Sequence, residues 1–363
     1  MTSSSRGMGI TVASVFAAVL SGIAMAGPEM KISDDSFIKL SFLGQVNYQY
    51  NEDNVDKADF FLRRGRIIID GQIMDGVKFF ADTDNPNDGK NTDPATSTYI
   101  QDAFMEVRIS GTHSLQAGLI LLPFSFETRA SATSLLGIDY NSECIKLVNT
   151  HVWRDYGLEL NGSFLDTVGY RIGVFDGFDK YSTSAMEKNP SAPLRVTGHV
   201  AVNLLGSVDN GWFFTQNGLG KKTFVAIGAG YDRQNNATSA VSTNPAIAGT
   251  LKDAEAWVID YQSAFAFGDK TNPCCSLLVN AAYYKWDNAS FKGNTYFVEG
   301  GLMIRKFMPT FKCSVQDADE KSSVTDYTIG LNYFLKGQNA RGGIEYRWGD
   351  SASQTLIGLQ VLL

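Results

Sequence analysis

The chain has 363 residues, with 31 basic against 38 acidic side chains, 35 glycines, 23 phenylalanines and 15 tyrosines against 9 prolines. A net charge of −7 argues against a nucleic-acid partner, because that affinity comes largely from cations that neutralise phosphates. The glycine and aromatic load suits strands and turns.

Residues 1–26, MTSSSRGMGITVASVFAAVLSGIAMA, carry one charge, Arg6, then an apolar core from Ile10 to Leu20, then Ala24-Met25-Ala26 before Gly27. That order predicts a secretory signal peptide cleaved after Ala26, with 27–363 as a single domain. The apolar core is short of the roughly 18 to 20 residues a spanning helix needs. No later stretch reaches that length without a charge or a turn residue, so a mature chain in a membrane has to cross it as a closed barrel.

The stretch FIKLSFLGQVNYQY, 37–50, places Ile38, Leu40, Phe42, Val46, Tyr48 and Tyr50 on one face and Lys39, Ser41, Gln45, Asn47 and Gln49 on the other. Period-two alternation of this length predicts a long strand. Apolar outside and polar inside is the membrane-barrel pattern. The next strand, FFLRRGRIIIDGQIMDG over 60–76, sends Phe61, Ile67, Ile69 and Ile73 outward and Arg64, Arg66, Ile68, Asp70 and Gln72 inward. Arg63 then falls on the lipid phase, acceptable only near the membrane edge because a midplane arginine costs about 2–4 kcal/mol. A one-residue bulge would turn it inward.

Short turns at 74–76, 110–114 and 165–167 alternate with longer polar connections at 83–97, 127–154, 178–193 and 235–253. Short turns at one end and long loops at the other predict an all-β fold, a transmembrane antiparallel β-barrel of about sixteen strands. Aromatic residues near strand ends, Phe60, Phe61, Phe124, Phe126, Tyr283, Tyr284, Trp286, Tyr333 and Phe334, suit interfacial girdles.

Carrying the parity through the later strands gives a lumen of mixed sign. Arg64, Arg66, Lys78, Arg108, Arg171, Arg195, Arg305, Lys312 and Arg347 are its basic candidates, with His199. Asp70, Asp102, Glu106, Glu159, Asp260, Glu299 and Glu345 are its acidic ones. Arginine can hold an oxyanion by paired, charge-assisted hydrogen bonds. Arg64 and Arg66, two apart on one strand and thus about 7 Å apart, start a short ladder for anions. The competing expectation is that these arginines pair with lumenal carboxylates, which leaves a mixed wall with a weak preference.

Catalytic chemistry finds no support. The three histidines, His113, His151 and His199, accompany no G-x-S-x-G elbow. GLGKKT at 218–223 lacks the ending of a phosphate loop, and DTDNPNDGKNTD at 82–93 has Pro86 at a would-be calcium-ligand position. Cys144, Cys274, Cys275 and Cys313 could oxidise in an exported chain, but their spacing gives neither a connectivity nor a metal motif. No cofactor, metal or catalytic residue is expected.

FFLRRGRIIIDG at Phe60, YIQDAFMEVRISGTHSLQAGLILLPFSFE at Tyr99, WRDYGLELNG at Trp153 and GYRIGVFDGF at Gly169 together resemble the phosphate-selective porin O/P family of outer-membrane proteins. The resemblance implies a sixteen-stranded, homotrimeric porin whose third external loop, here 127–154, folds into the channel. Arg64 and Arg66 match the start of the family's arginine ladder, and the loop offers Arg129, Lys146 and Arg154 as constriction residues. The last strand, QTLIGLQVLL, ends in Leu363 where many such barrels end in an aromatic residue. The expected function is passive diffusion of small hydrophilic solutes, favouring anions such as phosphate, in contact with outer-membrane lipid and lipopolysaccharide. The alternative is a structural or adhesive surface barrel whose pore is closed by its own loops.

Overall fold

The sequence periodicity becomes a ring. The computed structural model describes residues 27–52, 57–90, 97–177, 193–208, 211–237, 252–268, 273–288 and 290–363. The expected signal peptide and most of the connections over 178–193 and 235–253 lie outside the described residues.

A short β1 (Glu29–Lys31) lies against β2 (Phe37–Asn51). There follow β3 (Ala58–Met74), β4 (Val77–Asp84), β5 (Tyr99–Ser110), β6 (His113–Leu121), β7 (Arg154–Phe164), β8 (Val168–Phe175) and β9 (Arg195–Leu205). The second half consists of β10 (Phe224–Gln234), β11 (Ala254–Gly268), β12 (Pro273–Asp287), β13 (Lys292–Ile304), β14 (Phe307–Ala318), β15 (Val324–Phe334), β16 (Ala340–Gly349) and β17 (Gln354–Leu362). Each strand from β2 onward pairs antiparallel with the next, and β17 pairs with β2, so sixteen strands close without an edge. Closure satisfies every ladder hydrogen bond internally, as a hydrocarbon environment requires.

Side chains alternate as the barrel pattern demands. On β2, Gln45, Asn47, Gln49 and Asn51 are buried while Leu40, Phe42 and Val46 are exposed. The exposed apolar set continues around the ring through Ile67, Met105, Leu158, Ile172, Val200, Ile259, Val298, Ile329 and Ile344. A soluble monomer rarely exposes an apolar patch beyond a few hundred Å2, so this continuous belt belongs in lipid.

The strand that raised the parity question contains a bulge. Gln45 pairs with Arg64 and the next residue, Val46, pairs with Leu62, which leaves Arg63 as the extra residue. The bulge reverses the phase ahead of it: Phe60 faces out at 72% exposure and Phe61 is buried at 5%. Thus Phe61 is not a lipid-facing residue, and Arg63 reaches Asp139 instead of the membrane.

The aromatic girdle also needs correction. Phe60, Tyr283 and Tyr333 point outward, but Phe61, Phe124, Phe126, Tyr284, Trp286 and Phe334 are buried inside the ring. Phe124 lies 5.9 Å from Tyr284 and 5.5 Å from Trp286, ring centre to ring centre. These rings form an apolar floor beneath the connection from β6 to β7, residues 122–153, which includes a 3-10 turn at Ser142–Cys144. All four cysteines are free, and Cys274 and Cys275 Sγ atoms stand 3.5 Å apart.

Candidate functional site

The arginines expected to line the pore are on the lumenal face, and most are matched to a carboxylate. Arg64 donates to Gln45 Oε1 at 2.7 Å and Asp139 Oδ1 at 2.9 Å, with its guanidinium 5.1 Å from the Tyr140 ring centre. Arg66 donates to Asp84 Oδ2 and Asp82 Oδ2 at 2.9 and 3.2 Å. Arg171 and Arg129 hold the two oxygens of Glu159, at 2.5 and 3.0 Å. Arg195 forks onto Asp232 with both distances 2.7 Å, and Arg154 onto Asp102 at 3.0 and 2.7 Å. Such bidentate pairs are strong because the planar fork matches the carboxylate. They also occupy the donors that an anion ladder would offer.

The remaining sequence candidates are less uniform. Lys78 and Arg108 keep the lumenal phase of the buried Phe80 and Phe104 but stand exposed toward the short-turn rim, where Arg108 pairs with Asp75 at 2.6 Å. Arg305 is an exposed residue of the β13–β14 turn with φ 56°, outside the lumen proper. Arg154 opens β7 and is not a loop residue, and the connection starts at 122, ahead of the expected 127. Lys146 donates to Gln316 of β14 at 2.7 Å and sits 5.2 Å from the Phe291 ring centre. His199 lies 3.0 Å from Asp260 Oδ1 and packs against Phe126.

The 122–153 connection touches several strands. Ile138 N donates to Glu345 Oε1 at 2.7 Å, Asn332 to Leu136 O at 3.1 Å, Arg341 to Leu135 O at 2.7 Å and Thr295 to Cys144 O at 2.6 Å. Asp139 is its charged anchor. Burial opposes its ionisation, but Arg63 and Arg64 hold its carboxyl well below the usual range. Among the described residues, Glu127 makes no ion pair and accepts only from Asn141 and Gln216. Burial and the nearby Glu299 push it up to about 8, only partly offset by hydrogen bonds from Asn141 and Gln216.

Beside this connection lies a cavity of about 320 Å3, lined by Asn47, Phe61, Arg63, Lys90, Asp139, Tyr140, Glu143, Lys312, Glu345 and Arg347 among others. Four of its lining residues are basic and three acidic. Arg63 pairs with Asp139, and Lys312 with Glu143 at 3.2 Å. Among the described residues, neither Lys90 nor Arg347 makes an ion pair: Lys90 lies 5.0 Å from the Phe61 ring centre, and Arg347 Nε is buried without a partner. Burial and the neighbouring Arg63 lower the pKa of Lys90, with Arg347 contributing in the same direction. Arg347 was expected in the lumen from its parity, whereas Lys90 escaped the sequence reading. Lys90 lies in a polar connection, and nothing local links it to a strand near the C-terminus.

A closed sixteen-stranded ring with a lipid belt outside and a charged, hydrogen-bonding wall inside is a transmembrane porin barrel. Residues 40–248 match phosphate-selective porin O and P, and the chain belongs to that family. It is a channel protein of the outer membrane. Among solved structures, a mutant of the Rh. blastica porin is similar at 16% identity over 90% of this chain and 100% of that one, with a TM-score of 0.58. A loop-deletion mutant of OmpT, an outer membrane protein of Vibrio cholerae, is similar at 13% identity over 91% and 100%, with a TM-score of 0.59. At these identities the likeness is one of fold. No curated protein matches the sequence.

Proposed function

We propose that this porin carries small hydrophilic solutes by passive diffusion and modestly favours anions such as phosphate, with Lys90 and Arg347 as the capturing cations. The observation that carries the reading is the lining of the 320 Å3 cavity, where one basic side chain remains in excess and two cations are free of carboxylates among the described residues. A site with nearly balanced charge gives a preference, whereas a ring of one sign gives strict selectivity. Connection 122–153 narrows the pore beside this cavity. Arg64, Arg66, Arg129, Arg154, Arg171 and Arg195 act in this reading as braces of the wall and loop, with their acids as partners. The family name supports phosphate as a solute, the exposed apolar belt supports a barrel embedded in lipid and lipopolysaccharide, and the homotrimer rests on the family resemblance alone.

The test is the reversal potential of single channels across a KCl gradient, repeated with phosphate added. The native chain shows anion preference and partial phosphate block, and Lys90→Ala with Arg347→Ala lowers both. Anion preference unaffected by that double variant refutes the assignment of the capturing residues. Absence of any conductance returns the reading to a surface barrel closed by its own loops.

A further inference from the structure

The connection from β9 to β10 leaves the barrel at the end that carries the tight turns 75–76 and 165–167. A connection there has no need to enter the lumen, yet residues 211–217 cross it. At one side Trp212 Nε1 donates to Glu106 Oε2 at 3.0 Å, and its ring packs 5.6 and 5.4 Å from Phe80 and Phe104 of β4 and β5. At the other, Asn217 O accepts from Gln338 at 2.8 Å, between β15 and β16, and Asn217 Nδ2 points at Met308 of β14. These contact points lie between four and seven strands apart around the sixteen-stranded ring.

Between its ends the segment is joined to the 122–153 connection. Phe214 N donates to Arg129 O and Ser131 N to Phe214 O, both at 2.8 Å, forming a parallel bridge. Gln216 donates to Glu127 Oε2 at 2.5 Å, and Asn217 N to Ser134 O at 2.8 Å. Arg171 and Arg129, matched to Glu159, each give a further hydrogen bond to this segment, at Gly211 O and Trp212 O, both 2.5 Å. Phe214, Gln216 and Asn217 are buried, and Phe214 packs edge-on against Phe126 at 5.1 Å. Backbone polar groups satisfied along such a path are those of a fixed element.

We propose that residues 211–217 form a second constriction of the pore, inserted from the short-turn end and bound to the 122–153 connection. The inference rests on the channel reading above. Arg129 and Arg171 then serve as positioning residues for this segment, and solute must pass beside it to leave the cavity at the other end of the barrel.

The experiment compares single-channel conductance of the native chain with that of Trp212→Ala, Phe214→Ala and Gln216→Ala combined, after circular dichroism has confirmed the barrel. A rise of at least about two-fold is expected, because the narrowest hydrated section limits the flow. Conductance in the triple variant equal to or below the native value overturns the constriction and leaves the channel reading standing. Silence from both folded proteins overturns the two together. Should the triple variant fail to form the barrel, Phe214→Ala alone reads the same quantity against the same outcomes.

Discussion

Asp139→Asn keeps the shape of the residue that ties the 122–153 connection to β3 and removes its charge. Asp139 accepts Arg63 Nε at 2.5 Å, Arg63 Nη2 at 3.0 Å and Arg64 Nη2 at 2.9 Å. Breaking a buried pair by removing one partner costs about 3–5 kcal/mol. Here the Asp139 and Arg63 side chains are 29% and 19% exposed and Arg64 3%, so solvent screens part of the loss and about 2–4 kcal/mol is the expectation. The same change adds one net positive charge beside the cavity. A unit charge about 5 Å from an ion in a water-like medium is worth about 0.8 kcal/mol, a factor of about four in relative anion occupancy. Thermal unfolding in detergent micelles, followed by far-ultraviolet circular dichroism, should show a lower midpoint. The reversal potential across a KCl gradient should move toward the anion equilibrium value. A midpoint and a reversal potential both indistinguishable from those of the native protein would refute the view that Asp139 anchors the connection in the conducting path.

Arg66→Leu should destabilise the barrel by about 3–5 kcal/mol, since Asp82 and Asp84 lose their shared partner. Adding Asp82→Asn and Asp84→Asn should restore most of that stability with little change in ion preference, and a large loss of anion preference in the triple variant would instead make Arg66 a solute ligand. Glu127, whose folded pKa is raised to about 8, binds its proton more tightly folded than unfolded, so stability from this group is fully present below about pH 4.5 and declines as pH rises toward 8. Glu127→Gln should flatten that decline in unfolding midpoints measured from pH 5 to 9, and an unaltered slope would contradict the assignment. Gly358→Ala puts a Cβ 2.6 Å from Ile138 Cγ2, so the connection has to move, at a cost of about 1–3 kcal/mol, and the variant should become more sensitive to protease added from the loop side.

Alternation was enough to predict a barrel of about sixteen strands with an apolar outer face, because a period of two is written in neighbouring residues and needs no distant partner. The arginine-bearing strand was legible in the same way, down to the inward aim of Arg64 and Arg66. Whether Arg63 faced lipid or lumen was not, since the bulge that turns it inward is a matter of register against β2. The single carboxylate of Glu159 that holds Arg129 and Arg171, and the cation pair Lys90 and Arg347, unite residues far apart in the chain. Residues 211–217 gave no signal in the sequence, since Trp212, Phe213 and Phe214 follow no strand or helix period there. That the wall is apolar outside and charged inside is written in the strands themselves, because each must satisfy lipid on one side and water on the other. Which lumenal charges cancel, and what packs against the 122–153 connection, came only with folding, because both depend on residues distant in the chain meeting across space.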